Sequence, residues 1–150
     1  MAAYDGSFTV LLVDDDPDDK LLVEEAIEEA SLPYALRWVR DGEELLDYLN
    51  RRGDYEGEAD APWPDLIMLD LNMPRKSGTE VLGELKTDAR TRRIPVVVYT
   101  TTWAEDEISR CYDQGANTFV IKPVSFEGLV GMMQTLTRYW FHFAALPPRD

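Results

Sequence analysis

Five polar side chains occur at one kind of place in this sequence, directly after short apolar runs. Asp14 and Asp15 follow Phe8-Thr-Val-Leu-Leu-Val13, and Asp70 follows Leu66-Ile-Met-Leu69. Thr100 follows Val96-Val-Val-Tyr99, and Lys122-Pro123 follows Thr118-Phe-Val-Ile121. If those runs lie side by side, three carboxylates, one hydroxyl and one ammonium meet at a single edge. Crowded carboxylates repel by about 4 kcal/mol per pair at ~4 Å and an effective dielectric near 20, so the cluster needs a compensating cation. A hard ion such as Mg²⁺ suits it, being commonly held by one or two carboxylates together with phosphate oxygens and water. Lys122 adds a compact positive charge suited to phosphate. A carboxylate in this setting is a competent nucleophile toward an activated phosphoryl group. The transferring group carries its charge on equatorial oxygens, so positioning and charge neutralisation are the main demands. Asp70, after the central run, is the expected acceptor, with Asp14 and Asp15 as metal ligands. Thr100, Lys122 and the backbone N–H groups just after Asp70 would neutralise the charge.

The elements that must bring these residues together follow from periodicity. Phe8–Val13 is continuously apolar and β-branched, which predicts a strand buried on both faces. After Pro17, Val23, Ala26, Ile27 and Ala30 recur at helical spacing, and Ser31-Leu-Pro33 ends that helix. Residues 34–39 read as a second strand, and Asp41-Gly-Glu-Glu44 as the capping-box start of a helix carrying Leu45, Leu46 and Leu49. Residues 51–64, interrupted by Gly and Pro, read as a solvated loop. Strands over 66–69, 96–99 and 118–121 then alternate with a helix carrying Val81, Leu82 and Leu85 and another from about 104 to 114, which stops at Gly115. Ser125 can cap a last helix in which Leu129, Met132, Met133, Leu136, Trp140 and Phe143 keep the 3/4 spacing. Strict β-α alternation predicts an α/β fold, a doubly wound, five-stranded parallel sheet of flavodoxin-like type with helices on both faces. Working residues in such sheets lie at the carboxyl ends of the strands, where the five side chains fall.

Composition narrows the partners. Fifteen Lys and Arg against 29 Asp and Glu give a net charge of -14, which disfavours nucleic acid and anionic membranes. The single cysteine, Cys111, cannot form an internal disulfide. Neither a secretory leader nor an apolar run of about 20 residues is visible, so a cytoplasmic protein is expected.

Leu11-Leu-Val-Asp-Asp15, Asp65-Leu-Ile-Met-Leu-Asp70-Leu-Asn-Met-Pro74, Val98-Tyr-Thr100 and Phe119-Val-Ile-Lys-Pro123, in that order and spacing, resemble the receiver domain of two-component response regulators. The likeness runs over residues 9–138. It implies a single receiver domain over 1–150, with a core at about 8–140 and a C-terminal extension at 139–150. It also implies a phosphoacceptor protein rather than an enzyme, phosphorylated on Asp70 by a histidine kinase. Mg²⁺ would be bound directly by Asp15, Asp70 and the Asn72 backbone carbonyl, and by Asp14 through water. Thr100 and Phe119 would form a switch pair, Phe119 standing where many receivers carry Tyr. Asn72 and Thr102 resemble positions that tune phosphate lifetime, and the Lys122–Pro123 bond would be cis.

Three further details resemble the small response regulators that serve bacterial and cyanobacterial phytochromes: the acidic loop before Pro64, Arg75-Lys-Ser-Gly78 with Ile94-Pro-Val-Val-Val-Tyr-Thr-Thr-Thr102, and the tail Tyr139-Trp-Phe-His-Phe-Ala-Ala-Leu-Pro147. This likeness implies a phytochrome kinase as phosphodonor and a homodimer built on the last two helices and the tail. Tyr139, Trp140, Phe141 and Phe143 are the expected interface residues. Output would pass by protein contact or onward phosphotransfer.

Competing readings are weaker. A phosphohydrolase of the haloacid-dehalogenase type would want an aspartate two residues after the nucleophile, and Asn72 stands there. A receiver that only docks or dimerises has nothing in its favour while all five phosphorylation positions are intact. A strand aromatic such as Phe119 is ordinarily core. His142 is most simply a surface or interface residue, Cys111 packed core, and the acids of residues 24–29 a solvated helix face.

Overall fold

The computed structural model describes residues 8–57 and 61–148, with Tyr34 described by its backbone alone. Five strands, β1 (Phe8–Val13), β2 (Tyr34–Val39), β3 (Leu66–Leu69), β4 (Val96–Thr100) and β5 (Thr118–Ile121), alternate with five helices. The helices are α1 (Pro17–Glu29), α2 (Gly42–Asn50), α3 (Gly78–Thr87), α4 (Glu105–Asp113) and α5 (Phe126–Thr137). All strand pairs are parallel and the order is β2-β1-β3-β4-β5. The chain therefore leaves β1 first to one side and then to the other, as expected for a doubly wound sheet.

Alternation along the strands divides the core in two. Leu11, Val13, Ile67, Leu69, Val96 and Val98 face α2, α3 and α4 through Leu45, Leu49, Val81, Leu82, Leu85 and Cys111. Val10, Leu12, Leu66, Met68, Val97 and Tyr99 face α1 and α5 through Val23, Ala26, Ile27, Leu129 and Met133. Helix starts are fixed by side chains that accept orphan N–H groups. Asp16 accepts from Asp18 N, and Ser125 from Gly128 N. Ser77 and Glu80 form a reciprocal capping box. At α2 the box is only half made. Asp41 accepts from Glu44 N, but Glu44 reaches past it to Arg40 N, at 2.8 Å, and takes the Tyr55 hydroxyl on its other oxygen.

Three expectations need correction. The span 51–64 is more than a solvated loop. It holds a 3₁₀ turn at Gly53–Tyr55 and a fully buried Ala61, and its Pro62 carbonyl accepts from Tyr48 Oη. No peptide bond among the described residues is cis, so Lys122–Pro123 is trans, the isomer an X–Pro amide prefers by about 0.5–1 kcal/mol. The third concerns the tail. After α5 the chain runs on as a π-helical segment, Arg138–Phe143, closed by Ala144 N donating to Tyr139 O five residues back. This wider turn breaks the 3/4 spacing, and Phe141 rather than Trp140 and Phe143 follows Leu136 inward. Phe141 is 5% exposed and stacks on Phe8 with ring centroids 3.8 Å apart. It belongs to the protomer's own core, so the aromatic surface falls to Tyr139 and Phe143, both exposed, with Trp140 half-buried.

Candidate functional site

Hydrogen bonds between adjacent strands hold the strand ends together. Asp70 N donates to Val13 O at 2.9 Å, Asp14 N to Val39 O at 3.1 Å, and Lys122 N to Thr100 O at 2.8 Å. The five residues singled out from the sequence thus leave the sheet at one edge. Asp14 and Thr100 are fully buried, Asp70 is buried, Asp15 is exposed and Lys122 is half-buried.

The carboxylates of Asp14, Asp15 and Asp70 each offer an oxygen, and these oxygens lie within 4.8 Å of one another. An all-oxygen donor set of three acids is the chemistry a hard divalent cation takes, so the residues present fit such an ion. Lys122 Nζ lies 2.9 Å from Asp14 Oδ2, 2.7 Å from Asp19 Oδ2 and 3.6 Å from Asp70 Oδ2. One ammonium therefore serves three acids. Burial pushes the Asp14 carboxyl up to about 6, against the opposing pull of the Asp16 N–H and of Lys122. Burial alone would lower the pKa of Lys122, but the hydrogen bonds it donates to Asp19 and Asp14 carry it above the usual lysine range.

The remaining groups are arranged around Asp70. Asn72 N donates to Asp70 Oδ1 at 3.3 Å, and Asn72 Nδ2 to Thr100 Oγ1 at 3.4 Å. Gly78 opens α3 directly behind Asp70. A Cβ there would fall 2.3 Å from the Asp70 carbonyl oxygen, so only glycine permits this approach. Phe119 is partly buried against the α2–α4 side of the core, in register with Val98, while Thr100 is in register with Ile121. Thr102 lies just beyond β4, its Oγ1 accepting from Ala104 N.

Sequence reasoning missed two members of the site. Asp19, which the sequence reading does not single out, lies in the first turn of α1 after Pro17 and reaches Lys122 Nζ at 2.7 Å. Trp38, near the end of β2, donates its indole N–H to the Asp14 carbonyl at 2.8 Å. Lys20 and Arg40 lie over that ring at 5.5 and 5.4 Å. His142 is exposed and far along the tail from the strand-end residues in sequence.

Comparison with known proteins agrees with this geometry. The family described as the response regulator receiver domain matches residues 10–134. The chain belongs to the response-regulator receiver family. Response regulator Rcp1 of Synechocystis sp. is 37% identical to this receiver over 138 residues, which cover 92% of each chain. The crystal structure of the phosphorylated cyanobacterial phytochrome response regulator RcpA is 39% identical, with a TM-score of 0.85 over 95% of this receiver and 99% of that chain. The Mn²⁺-bound form of Rcp1 is 36% identical, with a TM-score of 0.83 over 94% and 99% of the two chains. The receiver fold read from the strand-helix alternation is thus the fold of these relatives. Among the described residues, no helix is long and apolar enough to cross a membrane.

Proposed function

We propose that this receiver is a single-domain phosphoacceptor of a two-component relay, taking a phosphoryl group on Asp70 from a histidine kinase of phytochrome type. The observation that carries the reading is the convergence of Asp14, Asp15, Asp70, Thr100 and Lys122 at one sheet edge. The relatives point to the donor, since RcpA is named as a cyanobacterial phytochrome response regulator.

In the transfer, an Asp70 Oδ attacks the phosphorus of a phosphohistidine. The new O–P bond forms as the N–P bond breaks, and the imidazole leaves with its electron pair and is protonated. Asp15, Asp70 and the Asn72 carbonyl, with Asp14 through water, would hold Mg²⁺, which when bound neutralises charge on the phosphoryl oxygens. Lys122, already within 3.6 Å of Asp70, turns its ammonium from Asp14 and Asp19 toward the incoming group. The Thr100 hydroxyl and Asn72 N–H supply neutral donors. Thr100 then serves as the moving half of a switch with Phe119, whose side chain already packs against the core behind it. The chain itself turns over no other substrate. Self-association uses the exposed Tyr139 and Phe143 with Trp140, and output passes by protein contact or onward phosphotransfer in the cytoplasm. The charge of -14 favours neither nucleic acid nor membrane as the target.

Intact-mass analysis after incubation with a small phosphodonor, with and without Mg²⁺, tests this on wild type and Asp70→Asn. A Mg²⁺-dependent phosphoryl adduct in wild type alone is expected. An adduct of equal yield in Asp70→Asn would overturn the assignment of the acceptor. Absence of an adduct with both the small donor and a phosphorylated histidine kinase would overturn the function.

A further inference from the structure

At the opposite edge of the sheet, where β3 and β4 begin, lies a cavity of about 460 Å³. Its walls include Arg51, Arg90 and Arg93, together with the apolar surfaces of Trp63, Pro95 and Leu146. We propose that this cavity is a second ligand site, separate from the phosphoacceptor, for a small organic phosphate: a phosphate monoester head on the arginines and an apolar or aromatic body against Trp63.

The charge arrangement is the first support. Lys20, Arg52, Arg75, Lys76 and Lys122 each meet a carboxylate. Among the described residues Arg90 meets none and, like Lys86, is held by neutral partners. Its guanidinium donates to Asn50 Oδ1 at 2.8 Å and to the Leu49 carbonyl at 2.5 Å, and lies 5.2 Å from the Trp63 ring centroid. These neutral partners hold the fork in place and leave its charge uncompensated. Arg93 is exposed and makes neither an ion pair nor a side-chain hydrogen bond among the described residues. The Arg51 guanidinium donates through Nη1 to the Ala61 carbonyl at 2.8 Å, which holds it at the cavity wall. Asp65 is the carboxylate of the lining, and its Oδ2 is taken by the Thr9 N–H at 2.8 Å. Planar guanidinium forks suit phosphate better than ammonium groups do, because they bind it through two parallel N–H donors.

Size and lining give the second support. The volume falls within the range of about 300–1,000 Å³ typical of small-molecule sites, too small for a folded partner. A lining that brings guanidinium groups together with apolar surface suits a molecule with an anionic head and an apolar body, rather than a bare ion. The site shares no residue with the phosphoacceptor edge.

The test is NMR titration of the full chain without divalent metal, following the Arg Nε–H and Trp63 indole N–H signals. The probes are inorganic phosphate, adenosine monophosphate, adenosine, and sodium chloride at matched ionic strength. Saturable shifts are expected with adenosine monophosphate, at an affinity at least tenfold above inorganic phosphate and adenosine. Arg93→Ala, which removes an exposed side chain without a hydrogen-bond or ion-pair partner among the described residues, should weaken this binding at least fivefold. Asp70→Asn should leave it unchanged. Equal shifts with chloride, an affinity no higher than that of either fragment, or an unaltered Arg93→Ala would overturn the proposal. Loss of binding in Asp70→Asn would place the ligand at the phosphoacceptor instead, and would equally overturn it.

Discussion

The Asp41 carboxylate joins the start of α2 to the loop that follows Asp70: one oxygen caps the helix at Glu44 N, and the other lies 2.5 Å from Arg75 Nη2. Asp41 is buried while Arg75 is largely exposed, and Arg75 sits in the left-handed region at φ 65°. Asp41→Ala removes both bonds and should cost about 1–2 kcal/mol, most of it the lost cap. Arg75→Ala should cost only about 0.5–1 kcal/mol, because solvent screens much of the pair. Arg75→Gly should cost less again, since glycine adopts that φ without strain. Urea unfolding of the three variants orders them, and an Arg75→Ala loss exceeding that of Asp41→Ala would contradict the arrangement.

Gly78→Ala forces a methyl to within 2.3 Å of the Asp70 carbonyl oxygen, against backbone that cannot rotate away. A loss of about 1–3 kcal/mol is expected from the overpacking. Because the strained atom belongs to Asp70, the proposed acceptor, the yield of phosphoryl adduct should fall as well. Ser77→Ala, one residue earlier, removes a cap worth about 1 kcal/mol but should leave the adduct yield close to wild type.

Phe141→Ala empties a core position stacked on Phe8 and should cost about 3–5 kcal/mol. Phe143→Ala, at 76% exposure, should change stability by less than about 0.5 kcal/mol. If the tail mediates self-association, Phe143→Ala instead lowers the sedimentation coefficient at a fixed concentration. An unchanged coefficient in both Phe143→Ala and Tyr139→Ala would remove the tail from that role.

Cys111 is buried and burial pushes its thiol up, which keeps it protonated at neutral pH. A colourimetric thiol reagent at pH 8 should therefore react slowly with the native protein and release one equivalent promptly in denaturant. Fast reaction in the native state would mean that α4 opens readily.

Much of the fold was legible because its signals are local. Apolar runs of four to six residues bounded by helix caps specify strands, and their alternation with helices specifies a parallel sheet. The residues at the strand ends were legible for the same reason, since leaving a strand places a side chain at the sheet edge whatever its sequence neighbours. What escaped was non-local or depended on phase. Asp19 acts through a lysine far along the chain, Glu44 chose Arg40 over its own cap, and Phe141 turned inward because one wider turn shifts every later residue. A period of 3.6 carries no sign of that shift.

The bond between Lys122 and Asp14 spans 108 residues. Its partners lie just after β1 and just after β5, the first and last strands of the sheet in chain order. A chain folded only as far as β3 holds its aspartates without that ammonium, and its sheet lacks β4 and β5. The charge balance of the acidic cluster therefore depends on the strand that joins the sheet last in chain order, and the edge is complete only once β5 has docked.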